Sequence, residues 1–156
     1  SRSKVFDAML NRHDTKEAQI GVIEINDIDH DVLVEMIRYL YIDETPKIAE
    51  MALDLLIAGN KYDISELVSE CEKFLANNIS IDSFADILVV ADQLKIQSLK
   101  DAVFNFFIKD LEKASSSDGY AKLKTNHSQL AMEIMDHLTL DTIKQQKGKW
   151  VALRIL

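Results

Sequence analysis

Asp54-Leu55-Leu56-Ile57-Ala58-Gly59-Asn60-Lys61-Tyr62-Asp63-Ile64-Ser65-Glu66-Leu67 recurs, in apolar class and in the place of its polar break, as Asp86-Ile87-Leu88-Val89-Val90-Ala91-Asp92-Gln93-Leu94-Lys95-Ile96-Gln97-Ser98-Leu99. The offset, from 54 to 86, is 32 positions, and it carries on through Cys71 and Val103, Phe74 and Phe106, and Leu75 and Phe107. A repeat near this length is the mark of stacked helical hairpins, because one such unit cannot bury its own apolar face. Both copies therefore predict helix–turn–helix units with matching inward faces. Two units are few for a free-standing solenoid, so they are expected to pack side by side on other elements.

Helical spacing extends outward from the repeat. Between Asp31 and Tyr41, the residues Val32, Leu33, Met36, Ile37 and Leu40 form one apolar stripe, with Asp29 placed as its N-cap. Before it, Gly21-Val22-Ile23-Glu24-Ile25 alternates, is β-branched and stops at Asn26-Asp27, which predicts a short strand. Pro46 lies in a polar link ahead of a helix carrying Ile48, Met51, Ala52, Leu55, Leu56 and Gly59. The next helix is expected from about Glu66, capped by Ser65, with Leu67, Val68, Cys71, Phe74 and Leu75 inward and a left-handed stop at Asn77-Asn78. Beyond Leu111, Ala114-Ser115-Ser116-Ser117-Asp118-Gly119 reads as the clearest loop. A helix over Ser128 to Leu138 follows, then a short one from Asp141 to Gly148 and an apolar end, Trp150 to Leu156, that packs on the domain or on a partner.

The totals bound the function. With 156 residues, 47% apolar and 28% charged, the chain has enough apolar material for one ordinary domain or two small ones. A formal net charge of −8 repels phosphate backbones and anionic lipid, so neither nucleic acid nor membrane is expected as a partner. Cys71 is the single cysteine, which rules out an internal disulfide framework. No apolar run is long enough to span a bilayer and no signal-peptide layout opens the sequence, so a cytoplasmic or nuclear protein is expected. The opening Ser1 predicts a piece of something larger or a processed chain.

Chemistry is sparse. His13, His30, His127 and His137 are scattered, without the spacing of a closed metal site, and His30 and His137 fall on faces expected to be exposed. Cys71 sits on an apolar stripe with no neighbouring cation to lower its pKa, which predicts a structural thiol. The carboxylates spread along solvated faces, and four ungrouped glycines make no phosphate cradle. Lys144, Lys147 and Lys149 suit a helix C-terminus better than a nucleic-acid patch. No enzyme, no metal and no cofactor are expected.

The helical signatures together match a family. Ser3-Lys4-Val5-Phe6-Asp7-Ala8-Met9-Leu10 is similar to a segment of BTB/POZ domains, and Ile23-Glu24-Ile25-Asn26-Asp27-Ile28 to the strand and turn that follow it. Val34-Glu35-Met36-Ile37-Arg38-Tyr39-Leu40-Tyr41 resembles the next helix, with Ile42-Asp43 in place of its Thr-Gly turn. Asp54-Leu55-Leu56 through Lys61-Tyr62 to Cys71-Glu72, and Asn78-Ile79-Ser80-Ile81 to Ala91-Asp92, resemble the segments found in speckle-type POZ (MATH-BTB) proteins. The likeness runs from about Ser3 to Leu138.

The resemblance implies a mainly α fold of α+β origin, a BTB/POZ-like helical bundle with a short sheet remnant over 1–78, then BACK-like helical hairpins over 79–156. It implies that the family's first strands, first helix and upstream substrate-binding domain lie outside this sequence. It also implies a dimeric substrate adaptor for a cullin 3 ubiquitin ligase, facing the cullin with Leu10, the loop holding Thr15 and Glu17, and Asn60, Lys61 and Tyr62. Leu10 and Tyr62 would be its apolar anchors, the alternative for Tyr62 being a partly buried helix-end aromatic. In Thr15-Lys16-Glu17 a threonine stands where cullin-binding members often carry a hydrophobic residue. Two other readings compete: a BTB-type homo- or hetero-oligomerisation scaffold without ligase recruitment, and a generic helical-repeat peptide binder.

Overall fold

The computed structural model describes residues 25–155 together with Lys4, Val5 and Ala8, with side chains described through Lys149. Helices α1 (His30–Ile42), α2 (Ile48–Lys61), α3 (Ser65–Asn77), α4 (Phe84–Gln93), α5 (Gln97–Lys109), α6 (Leu111–Ser115), α7 (Asp118–Asn126) and α8 (Ser128–Ile155) follow one another, and among the described residues there is no strand. The protein is mainly α. Of the expected strand only Ile25 is described, without regular structure; the rest of Gly21–Ile25 lies outside the described residues. The chain divides into two compact units, Ser1–Asn78 and Ile79–Leu156.

In the first unit, α2 and α3 form the first hairpin and α1 packs on α2. Leu55, Leu56, Ile64, Leu67 and Cys71 have no solvent exposure. Each such aliphatic side chain contributes about 1.5–3 kcal/mol on burial, enough to fix the faces the helices turn inward. The α1 stripe is rotated from its sequence expectation. Val32, Glu35, Met36 and Tyr39 are buried, while Ile37 is 39% exposed. Glu35 can be inside because its Oε1 accepts the backbone N–H of Lys47 at 2.9 Å and its Oε2 lies 3.7 Å from Arg38. That contact also holds the polar link containing Pro46. Met51, with φ −139°, interrupts the helical backbone of α2.

In the second unit, α4 and α5 form the other hairpin, α7 packs on α4 and α6, and α8 packs on α5 and α7. Its centre is aromatic: the Phe84 and Phe107 rings lie 5.7 Å apart, and Phe107 and Tyr120 lie 5.0 Å apart. Gly119 is no loop residue. It sits in the first turn of α7, where a Cβ would stand 3.1 Å from the Ala85 Cβ and 3.6 Å from the Phe84 ring. The expected loop over 114–119 shrinks to Ser116 and Ser117, and Ser117 caps α7 by accepting the Tyr120 N–H at 3.2 Å. The two helices expected after Ser128 are one, α8, which runs through Gly148; a mid-helix glycine costs about 1 kcal/mol, too little to break it.

Three cap assignments also change. Asp29 occupies the N-cap position of α1 without a side-chain cap, its backbone carbonyl accepting Leu33 N–H at 2.9 Å. Ile64, not Ser65, precedes α3. Asn78 ends α3 with φ −128° rather than in the left-handed region, and its side-chain amide donates to the Phe74 carbonyl at 2.7 Å.

The repeat reaches into backbone detail. Tyr62 N–H and Leu94 N–H donate to Ala58 and Val90, both at 2.9 Å. Ile64 N–H and Ile96 N–H donate to Gly59 and Ala91, both at 2.8 Å, while Asp63 and Lys95 donate to Asn60 and Asp92. Each turn is thus a Schellman stop followed at once by the next helix.

Candidate functional site

The first repeat's turn carries three of the expected site residues, Asn60, Lys61 and Tyr62, at the C-terminal end of α2. Asn60 and Lys61 are exposed, whereas Tyr62 is only 4% exposed. Tyr62 lies inward because the Schellman turn points the capping residue back over its own helix. Its hydroxyl donates to Asp27 Oδ1 at 3.1 Å, and the Lys61 ammonium donates to Asp27 Oδ2. One aspartate from the segment before α1 thereby ties down both residues. Leu10, Thr15 and Glu17 lie outside the described residues.

The electrostatics follow from that contact. The hydrogen bond from Lys61 holds the Asp27 carboxyl below the usual aspartate value, and the bond to Asp27 raises the Lys61 ammonium in turn. Burial, then the bond to the Asp27 carboxylate, pushes the Tyr62 phenol up. The cluster is a neutralised, fixed feature beside an open groove lined by Asp27, Ile28, Asp29, Val32, Asp54, Ile57, Ala58 and Lys61.

Sequence spacing gives no sign of Asp27, which stands 34 positions from Lys61. A second feature, Lys100, is not singled out by the sequence reading, although the repeat carries a signal for it. It falls where the first repeat has Val68, on an inward face, so a lysine there needs partners. It has two: Asp92 Oδ1 at 2.7 Å and Glu133 Oε2 at 2.8 Å, which join α5 to α4 and α8. Burial opposes the charge, but the two carboxylates outweigh it and raise the ammonium. Cys71 is buried, and burial followed by the charge of Glu70 pushes its thiol up to about 12. His30 is exposed as expected, but His137 is half-buried, its ring 4.7 Å from that of Phe104.

Among the described residues no three His, Cys, Asp or Glu side chains are placed to hold a metal ion, and no helix is long and apolar enough to cross a membrane.

Residues 1–79 match the BTB/POZ domain, and residues 83–135 match the BACK domain of the BPM/SPOP type. The chain belongs to the BTB/POZ family, in the branch that carries this BACK domain. It is 34% identical over 139 residues to the protein maternal effect lethal 26 of Caenorhabditis elegans, covering 88% of this chain and 35% of that relative. It is 32% identical over 136 residues to a BTB/POZ domain-containing protein of Arabidopsis thaliana, covering 87% of this chain and 56% of the relative. The chain thus spans between about a third and just over half of the length of these relatives. BTB and BACK domains are protein-interaction modules, typically non-enzymatic.

Proposed function

We propose that this chain is the scaffold-binding part of a substrate adaptor for a cullin 3 RING ubiquitin ligase, acting in the nucleus or cytoplasm. In this reading the BTB domain over 1–78 recruits the cullin and self-associates as a homodimer or higher oligomer. The hairpin from about Ile79 to Leu111, in the BACK-like region over 79–156, extends the cullin surface, and a domain outside this sequence selects the protein substrate. The observation that carries it is the order of matches, a BTB/POZ domain followed at once by a BACK domain of the BPM/SPOP type. The cullin-facing residues are Leu10, Thr15, Glu17, Asn60, Lys61 and Tyr62. Within that set Tyr62 acts by fixing Asp27 and the end of α2, since little of its ring reaches solvent. A pulldown of the cullin 3 N-terminal region by the purified chain tests the reading; no capture by a folded, self-associating chain contradicts it.

The second reading, an oligomerisation scaffold that recruits no ligase, is favoured by one residue. Thr15 offers a polar hydroxyl at the position where cullin-binding members often place a hydrophobic residue.

A further inference from the structure

The groove beside the Lys61–Asp27 pair has a volume of about 280 Å3 and a two-sided lining. Ile57, 42% exposed although it lies in the middle of α2, supplies apolar surface above the buried Val32 and Ala58. Asp29 and Asp54 supply carboxylates, both exposed, whose side chains enter no hydrogen bond or ion pair among the described residues. Asp29 has an ordinary use, since an acid at the start of α1 complements the helix dipole. Asp54 has none of that kind, for it stands inside α2. Among the described residues the one cation in the lining, Lys61, is already held by Asp27. Among the described residues the groove therefore pairs exposed apolar surface with two carboxylates that have no cationic partner. A long cationic side chain complements both, laying its methylene stem on apolar atoms and its head group at carboxylates.

We propose that this groove receives an arginine or lysine side chain projecting from the apolar face of a protein partner's helix. The partner is the cullin only insofar as the adaptor reading holds; the groove's charge preference stands apart from it. Two measurements on the whole chain separate them. In the first, the affinity of the cullin 3 N-terminal region is compared between the native chain and the Asp29→Asn/Asp54→Asn variant at low and high salt. The expected loss is about tenfold at low salt, shrinking as salt rises. Equal affinity of the two proteins at low salt overturns the groove's part while leaving cullin recruitment intact. In the second, NMR shifts are followed with a helical peptide bearing one arginine among leucines, and with the same peptide bearing citrulline. Shifts confined to the amides around Asp29, Val32, Asp54 and Ile57, produced by arginine and not by citrulline, support the proposal even if no cullin binds. Equal shifts from both peptides, or none there from either, overturn it.

Discussion

Asp63 and Lys95, 32 positions apart, share the left-handed backbone conformation, with φ of 53° and 59°. Neither is glycine, so each turn carries a conformational cost in order to stop one helix and start the next within three residues. Replacing either by valine, whose branched Cβ tolerates this region worst, is expected to destabilise its unit by about 1–2 kcal/mol. Glycine at the same positions should be near neutral, because relief of the strain offsets its greater freedom in the unfolded chain. Urea unfolding of the four single variants measures both.

Lys100 is expected to be the polar pin of the second unit. Its two carboxylate partners keep some access to water, at 46% and 32% exposure, so Lys100→Met should cost about 1–3 kcal/mol rather than abolish folding. The ammonium is raised on folding, so its stabilisation is complete below the ordinary lysine value of 10.5 and is lost as pH rises through the higher folded value. Lys100→Met should therefore remove part of the alkaline loss of stability, as seen by thermal unfolding above pH 10.

The Asp27 pair has the opposite sign. A carboxyl lowered on folding stabilises above its ordinary value of 3.8, and that contribution disappears as pH falls through the lower folded value. Acid titrations of Asp27→Asn and Lys61→Met followed by circular dichroism should both lack this component. An unchanged acid profile in both variants would show that the contact does not persist in solution.

Cys71 should be inert in the folded chain. A buried thiol with its pKa pushed up to about 12 has almost no thiolate at neutral pH, so a thiol-specific reagent should label it only after denaturant is added. Rapid native labelling would mean that the first hairpin opens readily.

The cap of α7 rests on a single hydroxyl. Ser117→Ala is expected to cost about 1 kcal/mol in a urea titration, whereas the exposed Ser115→Ala should cost little.

The hairpins are legible in the sequence because their signal is written twice, and apolar spacing is the strongest local cue to a helix. The features that stay hidden are those in which a residue serves two levels at once. Gly119 resembles loop punctuation, yet its missing side chain is what admits α7 close to α4. Tyr39 and Glu35 rotate α1 away from its most hydrophobic face, because a buried carboxylate is tolerated once Lys47 N–H satisfies it. In the candidate site, Asn60, Lys61 and Tyr62 stand together along the chain, while Asp27 joins them only through the fold. Lys100 lies between these cases, since a lysine on an inward face announces partners without naming them.

Recruitment of a cullin is the central claim, and isothermal titration of the whole chain with the cullin 3 N-terminal region tests it most directly. The account predicts saturable binding that Asn60→Arg, at the exposed end of α2, weakens by about tenfold or more while self-association and the unfolding midpoint stay close to native. Absence of heat and of complex, with the native chain folded and self-associated, would contradict it and leave the scaffold reading in its place.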